Sequence, residues 1–196
     1  MTGVATWVAL AALLFSQPLS VRTEAKVEVS NGRSWGATTR YAGPSDAEYV
    51  QHRPEGDSRY TIASDGIWLT SPKGREPLDA DLGLWILGHN FHAQILDFAA
   101  MNAGATRHPF VEPGCDCEEL RGKRAAPAMG IEYYSLIFER VGGRARKLVI
   151  QRKDAVPVVS LYSDWRPVGG RSLPFAVDVD DGKDRYAFRF TSIIVE

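Results

Sequence analysis

The chain has 196 residues, and 23 Lys and Arg stand against 24 Asp and Glu, a formal net charge of −1. Near-balanced charge excludes the basic excess that marks nucleic-acid binders, and no nucleic-acid partner is expected. The length suits one domain, and five Trp and eight Phe supply material for a real core.

The first residues differ from the rest. Residues 4–15 are apolar or small apart from Thr6, and Gln17-Pro18 ends the run. Twelve residues are too few to cross a hydrocarbon core, which takes roughly 20, so no stable transmembrane span is expected. The run fits the h-region of a secretory signal peptide, with cleavage expected between Ser16 and Val21. Residues 1–20 are therefore set aside as a signal peptide, and 21–196 are read as one domain exported to the periplasm or cell envelope.

Residues 21–31 are polar with a short Val27/Val29 alternation, compatible with a first strand or a disordered lead-in. Strands follow at 33–41 and 48–52. Residues 59–63 and 67–70 flank Ser64-Asp65-Gly66, a strong hairpin signal because Asp and Gly both tolerate positive φ. Residues 81–101 read as one long helix. Asp79 can cap it, and Asp81 favours its positive end. Leu84, Gly88, Phe91, Ile95 and Phe98 recur at intervals of four and three and form one apolar stripe. Trp85, His89, His92 and Leu96 form the neighbouring row. Gly88 within the stripe would allow close approach to a sheet.

Residues 102–129 read as a loop or insertion, with a short helix considered at 118–124. They hold the two cysteines, Cys115 and Cys117, whose mutual disulfide would close a very small ring. The pair could equally be unpaired or bridged to another chain. Strands resume at 131–138 and 145–151. The segment 156–196 then alternates with period two between Gly- and Asp-containing breaks, the pattern of a three-stranded antiparallel meander. Its inward residues are expected to include Leu161, Trp165, Phe175, Val177, Phe188, Phe190 and Ile194. About eight strands and one helix predict a mainly β, α+β fold. It is a strongly curved antiparallel sheet, or half-open β-barrel, covered by one long helix.

No catalytic constellation emerges. His89 and His92 lie three apart on the helix and share a face, so one metal ion could bridge them, but the His-Glu-x-x-His pattern is absent. The ordinary reading is a helix border that packs and hydrogen-bonds. Cys115-x-Cys117 lacks the wider spacing of most zinc pairs. Ser64 lacks a nucleophile elbow. Arg144, Arg146, Lys147, Arg152 and Lys153 form a solvated basic face or a patch for anionic headgroups. No cofactor motif is present.

Several stretches resemble the LolA-like outer-membrane lipoprotein carriers and their lipoprotein-sorting relatives. They are the Asp-Gly-then-Trp hairpin from Arg59 to Pro72, Asn90-Phe91-His92-Ala93 in the helix, the strand pair from Ser160 to Phe175, and Arg189 to Ile193 in the last strand. The resemblance covers roughly 33–101 and 131–196. It implies a half-open β-barrel capped by helices around an apolar cavity, and a lipid or acylated protein as partner. Two features depart from the family pattern: the short polar segment 22–31 where an N-terminal helix is usual, and the cysteine-containing loop. On this basis Phe91, Ile95, Leu161, Trp165, Phe175, Val177, Phe188 and Phe190 are the expected ligand-lining residues. The expected function is non-enzymatic binding of an apolar ligand. The alternatives are a packed cell-envelope scaffold module and, last, a metal-dependent enzyme at His89/His92. The sequence assigns no oligomeric state.

Overall fold

The computed structural model describes residues 19–102, 104–123 and 130–196. The apolar run at 4–15 lies outside them. Thirteen strands form one antiparallel sheet: β1 (Val21–Val29), β2 (Ser34–Tyr41), β3 (Ala47–His52), β4 (Ser58–Ala63), β5 (Gly66–Ser71), β6 (Gly74–Pro77), β7 (Thr106–Glu112), β8 (Cys115–Gly122), β9 (Ile131–Glu139), β10 (Ala145–Arg152), β11 (Val158–Val168), β12 (Arg171–Asp180) and β13 (Arg185–Val195). Their order across the sheet is β6-β5-β4-β3-β2-β1-β13-β12-β11-β10-β9-β8-β7. Two hairpin meanders thus join through one non-local pair, β1 with β13.

The curved mainly β architecture expected from sequence is present, with more strands. Residues 21–31 are not a lead-in. β1 alternates buried and exposed along its whole length and pairs on both sides. The segment 102–129 is not a loop with a helix, because β7 and β8 form a hairpin there, and 124–129 lie outside the described residues. Pro109 disguised it. A proline lacks the N–H that a ladder uses, a loss an edge strand bears most easily, and β7 is the sheet edge. Cys115 and Cys117 sit two apart on β8, so both side chains leave on one face. Their Cα atoms are 5.3 Å apart and they are joined as a disulfide.

Two alternation readings shift by one residue. On β11 the inward residues are Ser160 and Tyr162, and Leu161 faces outward at 51% exposure. On β13, Glu24 faces Ser192 while Ala25 faces Phe190, so Thr191 is an extra residue. That bulge inverts the parity beyond it, burying Ile193 and exposing Ile194. In the 63–66 hairpin only Gly66, at φ +134°, takes the positive φ.

The single long helix is three short ones: α1 (Ala80–Gly88), α2 (Phe91–Leu96) and α3 (Phe98–Met101). α1 starts where expected, with Asp79 Oδ1 accepting from the Leu82 amide at 3.1 Å. It ends early because side chains take its last carbonyls. His89 Nδ1–H donates to the Trp85 carbonyl (2.8 Å), Asn90 Nδ2 to Ile86 (3.0 Å) and Gln94 Nε2 to Leu87 (3.0 Å). A helix C-terminus leaves four carbonyls orphaned, and in a buried position each needs a donor. The second break, at Asp97, is held by the Tyr41 hydroxyl donating to Asp97 Oδ2 at 2.6 Å. α1 contacts β3, β4 and β5, and α2 contacts β12. One helical segment touching strands this far apart in the order requires a sheet that curves around it. Close approach is provided by Gly83, where an added Cβ would lie 2.6 Å from Ile67 Cδ1, and not by Gly88.

Asn90 is 3% exposed, so Asn90→Ala leaves the Ile86 carbonyl without its side-chain donor and opens a small void. The expected cost is about 1–3 kcal/mol, read as a lowered urea midpoint. An unchanged midpoint would remove this account of the break.

Candidate ligand cavity

Two breaks and a glycine leave the helical segment separated from part of the sheet. Gly88 has no atom within 4 Å of where its Cβ would stand. The space it leaves belongs to a cavity of about 310 Å³. Its walls come from α1 (Leu84, Trp85, Gly88, His89), from Phe91 of α2, and from inward residues of β2, β3 and β9 to β13, among them Trp35, Tyr134, Ile150 and Phe188. Arg33, Arg53, Arg152 and Asp181 complete the lining and belong to strand ends and turns on one side of the sheet.

An aromatic ladder stiffens the wall. Tyr49 stacks on His89 with centroids 4.2 Å apart, and Trp85 meets His89 at 4.1 Å and Tyr60 at 4.8 Å. Phe91 meets Phe188 edge-on at 4.8 Å. Such pairs contribute beyond their burial, about 0.5–1.5 kcal/mol each. Trp35 Nε1–H donates to the Tyr49 hydroxyl at 3.1 Å, which gives that buried phenol a partner. Burial pushes the Tyr49 hydroxyl up to about 12 and keeps it neutral.

The sequence-expected lining residues separate. Phe91 and Phe188 stand on the cavity wall. Val177 and Phe190 are buried in the packed core beside it. Ile95, Trp165 and Phe175 pack against that core from its margin. Leu161 lies on the outer face, because the inward parity of β11 begins at Ser160. The sequence reading passed over Leu84, Trp35 and the three arginines as lining. Leu84 and Gly88 were visible in the helical stripe. Arg152 stood in the basic stretch read as a solvated face or a headgroup patch, but Arg33 and Arg53 carried no signal, because only folding brings segments distant in sequence to one opening.

The two histidines do not share a ligand position. His89 faces Tyr49, Trp85 and the cavity, whereas His92 packs edge-on against Phe190 at 4.5 Å, its Nε2–H donating to the Pro174 carbonyl at 2.8 Å. Among the described residues no three His, Cys, Asp or Glu side chains gather as a metal site. The basic stretch is also divided. Lys147 pairs with Glu112 at 3.0 Å and Arg146 with Glu139 at 3.2 Å, while Arg152 belongs to the cavity.

Solved structures share this fold. A protein domain from Vibrio parahaemolyticus, assigned to outer-membrane lipoprotein sorting, aligns with a TM-score of 0.63 at 8% identity over 90% of this chain and 85% of its own. A LolA superfamily protein from Nitrosomonas europaea aligns at 0.63 and 12% identity, over 93% and 88%. A DUF1329 family protein from Desulfovibrio piger aligns at 0.63 and 12%, over 93% and 87%. The chain therefore has the LolA-like fold. No protein-family model and no curated protein sequence matches it. Among the described residues no helix is long and apolar enough to cross a membrane.

Burial pulls both imidazoles down to about 4, opposed only partly by the bonds to Trp85 and Pro174. His92 is 1% exposed and its Nδ1 has no partner, so a second proton there would be both desolvated and unpaired. In the unfolded chain histidine titrates near ~6.5. As pH falls, the unfolded state takes up protons first. The stability contributed by neutral histidines is complete above ~6.5 and is lost on the way down to about 4. Urea midpoints should fall between pH 7 and pH 4.5. His92→Gln, which keeps a donor for Pro174, should flatten that slope, and an equal slope in the variant would contradict the assignment.

Proposed function

We propose that this chain is an exported, non-enzymatic protein that holds an apolar ligand, a lipid or a lipoprotein acyl chain, between its helical segment and the concave sheet. The observation that carries the reading is the aromatic-lined cavity of about 310 Å³. Its size falls at the lower end of small-molecule sites, roughly 300–1,000 Å³. Its wall is built from Trp, Phe, Leu and Ile side chains, whose contact with a hydrocarbon chain gains about 25 cal/mol per Å² of apolar surface removed from water. The LolA-like fold supports the reading, since one neighbour of the same fold is assigned to lipoprotein sorting. The apolar run at 4–15 supports export.

A second reading is a cell-envelope interaction module. It is favoured by β6, an edge strand exposed at all four residues, and by Val111 of the edge strand β7, 95% exposed. Open edges can add a partner strand.

Gly88→Leu separates the two. The new side chain extends into empty space, and a leucine is a better helix former than glycine, so folding should be retained. Binding of the neutral apolar fluorophore N-phenyl-1-naphthylamine to the wild-type chain should saturate at one site, and Gly88→Leu should weaken it at least tenfold. Absence of saturable binding, or unchanged binding in the variant, would overturn the cavity reading in favour of the edge-strand one.

A further inference from the structure

We propose that the cavity selects single-chain amphiphiles with an anionic head, with Arg33, Arg53 and Arg152 receiving the head. This rests on the cavity reading and adds the ligand class to it.

The first observation is size. A methylene takes about the volume of a water molecule, ~30 Å³, so a cavity of about 310 Å³ holds ~10 methylenes. That is one chain of medium length. The further chains of a diacyl or triacyl lipid would have to lie outside it.

The second observation is how the arginines are paired. Elsewhere the described arginines that form ion pairs, from Arg40 to Arg189, hold a carboxylate at 3.2 Å or closer. The arginines lining the cavity do not. Arg33 lies 3.8 Å from Asp184 and Arg53 3.9 Å from Glu55. Their close bonds go to neutral amide oxygens, Arg33 to Asn31 Oδ1 at 3.0 Å and Arg53 to Gln51 Oε1 at 2.6 Å. Arg152 spends its donors on the carbonyls of Val156 and Asp181. These partners orient the guanidinium groups without cancelling their charge. Arg53 Nε is buried without a hydrogen-bond partner, and its guanidinium stands 5.2 Å from the centre of the Trp35 ring. A buried donor left unmade is costly, and an anionic head that draws the Arg53 side chain toward the cavity would relieve it.

The lining holds one carboxylate against the three arginines. Asp181 Oδ1 accepts the backbone amides of Lys183 (2.9 Å) and Asp184 (2.8 Å), which fixes it in its own turn. The lining therefore combines apolar walls from Trp35, Leu84, Phe91, Ile150 and Phe188 with a net positive set of planar donors. Guanidinium matches carboxylate and phosphate geometry, so a free fatty acid and a lysophospholipid-type phosphate share the recognition.

The test is calorimetry at pH 7.5 with four decyl probes below their micelle concentrations: decanoate, decyl phosphate, decan-1-ol and decyltrimethylammonium. Decanoate or decyl phosphate should bind at least tenfold tighter than decan-1-ol, a difference of about 1.4 kcal/mol, with the cation weakest. Whichever anion binds tighter identifies the carboxylate or the phosphate source. Arg53→Gln should abolish the anionic preference, so that decanoate and decyl phosphate bind no tighter than decan-1-ol. If that variant does not fold, Arg33→Gln, whose side chain is more than half exposed, should reduce the preference severalfold. Equal affinities for the alcohol, cation and anions would overturn the headgroup assignment and leave the cavity reading standing. No binding of any probe would overturn the cavity reading itself.

Discussion

The pairing of β1 with β13 is the constraint on which the rest of the molecule depends. Every other neighbouring pair in the sheet is a local hairpin or near-hairpin within one of two meanders. Only this pair joins strands from opposite ends of the domain, matching Val21 with Val195 and Val29 with Tyr186. It is a slow contact to form, because loop-closure entropy must be met before it is gained. It also holds the sheet centre, where Val27 is fully buried and Thr23 and Thr39 share a buried hydrogen bond of 2.7 Å. With it in place, thirteen twisted strands curve far enough to enclose the helical crossing between β6 and β7.

The crossing then has to follow a concave surface, and a straight helix cannot. His89, Asn90 and Gln94 resolve this by capping α1 from within the core. They are costly residues to bury, and each adds a side-chain donor to a carbonyl at the break that also accepts a backbone amide. The same break keeps α1 against β3 to β5 and α2 against β12, with the region near Gly88 spanning the gap. The cavity is thus a by-product of bending a helix by polar capping rather than by proline. Its chemistry follows from position: aromatic residues from inward-facing strand positions line it, and arginines from strand ends and turns join them where the sheet face stops.

Legibility in the sequence followed the range of the interaction. The Asp65-Gly66 hairpin, the Asp79 cap and the meander from β11 to β13 were readable because turn chemistry, capping and period two act over a few residues. The hairpin of β7 and β8 was not, since Pro109, Pro113 and Gly114 give its sequence the composition of a loop, and only the sheet shows that β7 is an edge strand that bears a proline. Leu161 and Ile194 were misplaced for a related reason. Alternation gives two faces but does not say which is inward, and the extra Thr191 reverses them partway along β13. The helical stripe predicted one helix because apolar spacing is blind to where a buried carbonyl will lack a donor.

For the candidate site the division is sharper. The sequence alone determined the mainly β class, the placing of the helical segment and the aromatic supply, Phe91 and Phe188 included, because these depend on local periodicity and composition. Tertiary structure alone decided that a cavity exists, that Gly88 opens it, and that Arg33, Arg53 and Arg152 meet at it. Three chain segments separated by up to about 120 residues acquire a common address only when β1 closes on β13. A void has no residues of its own to leave a pattern in the chain.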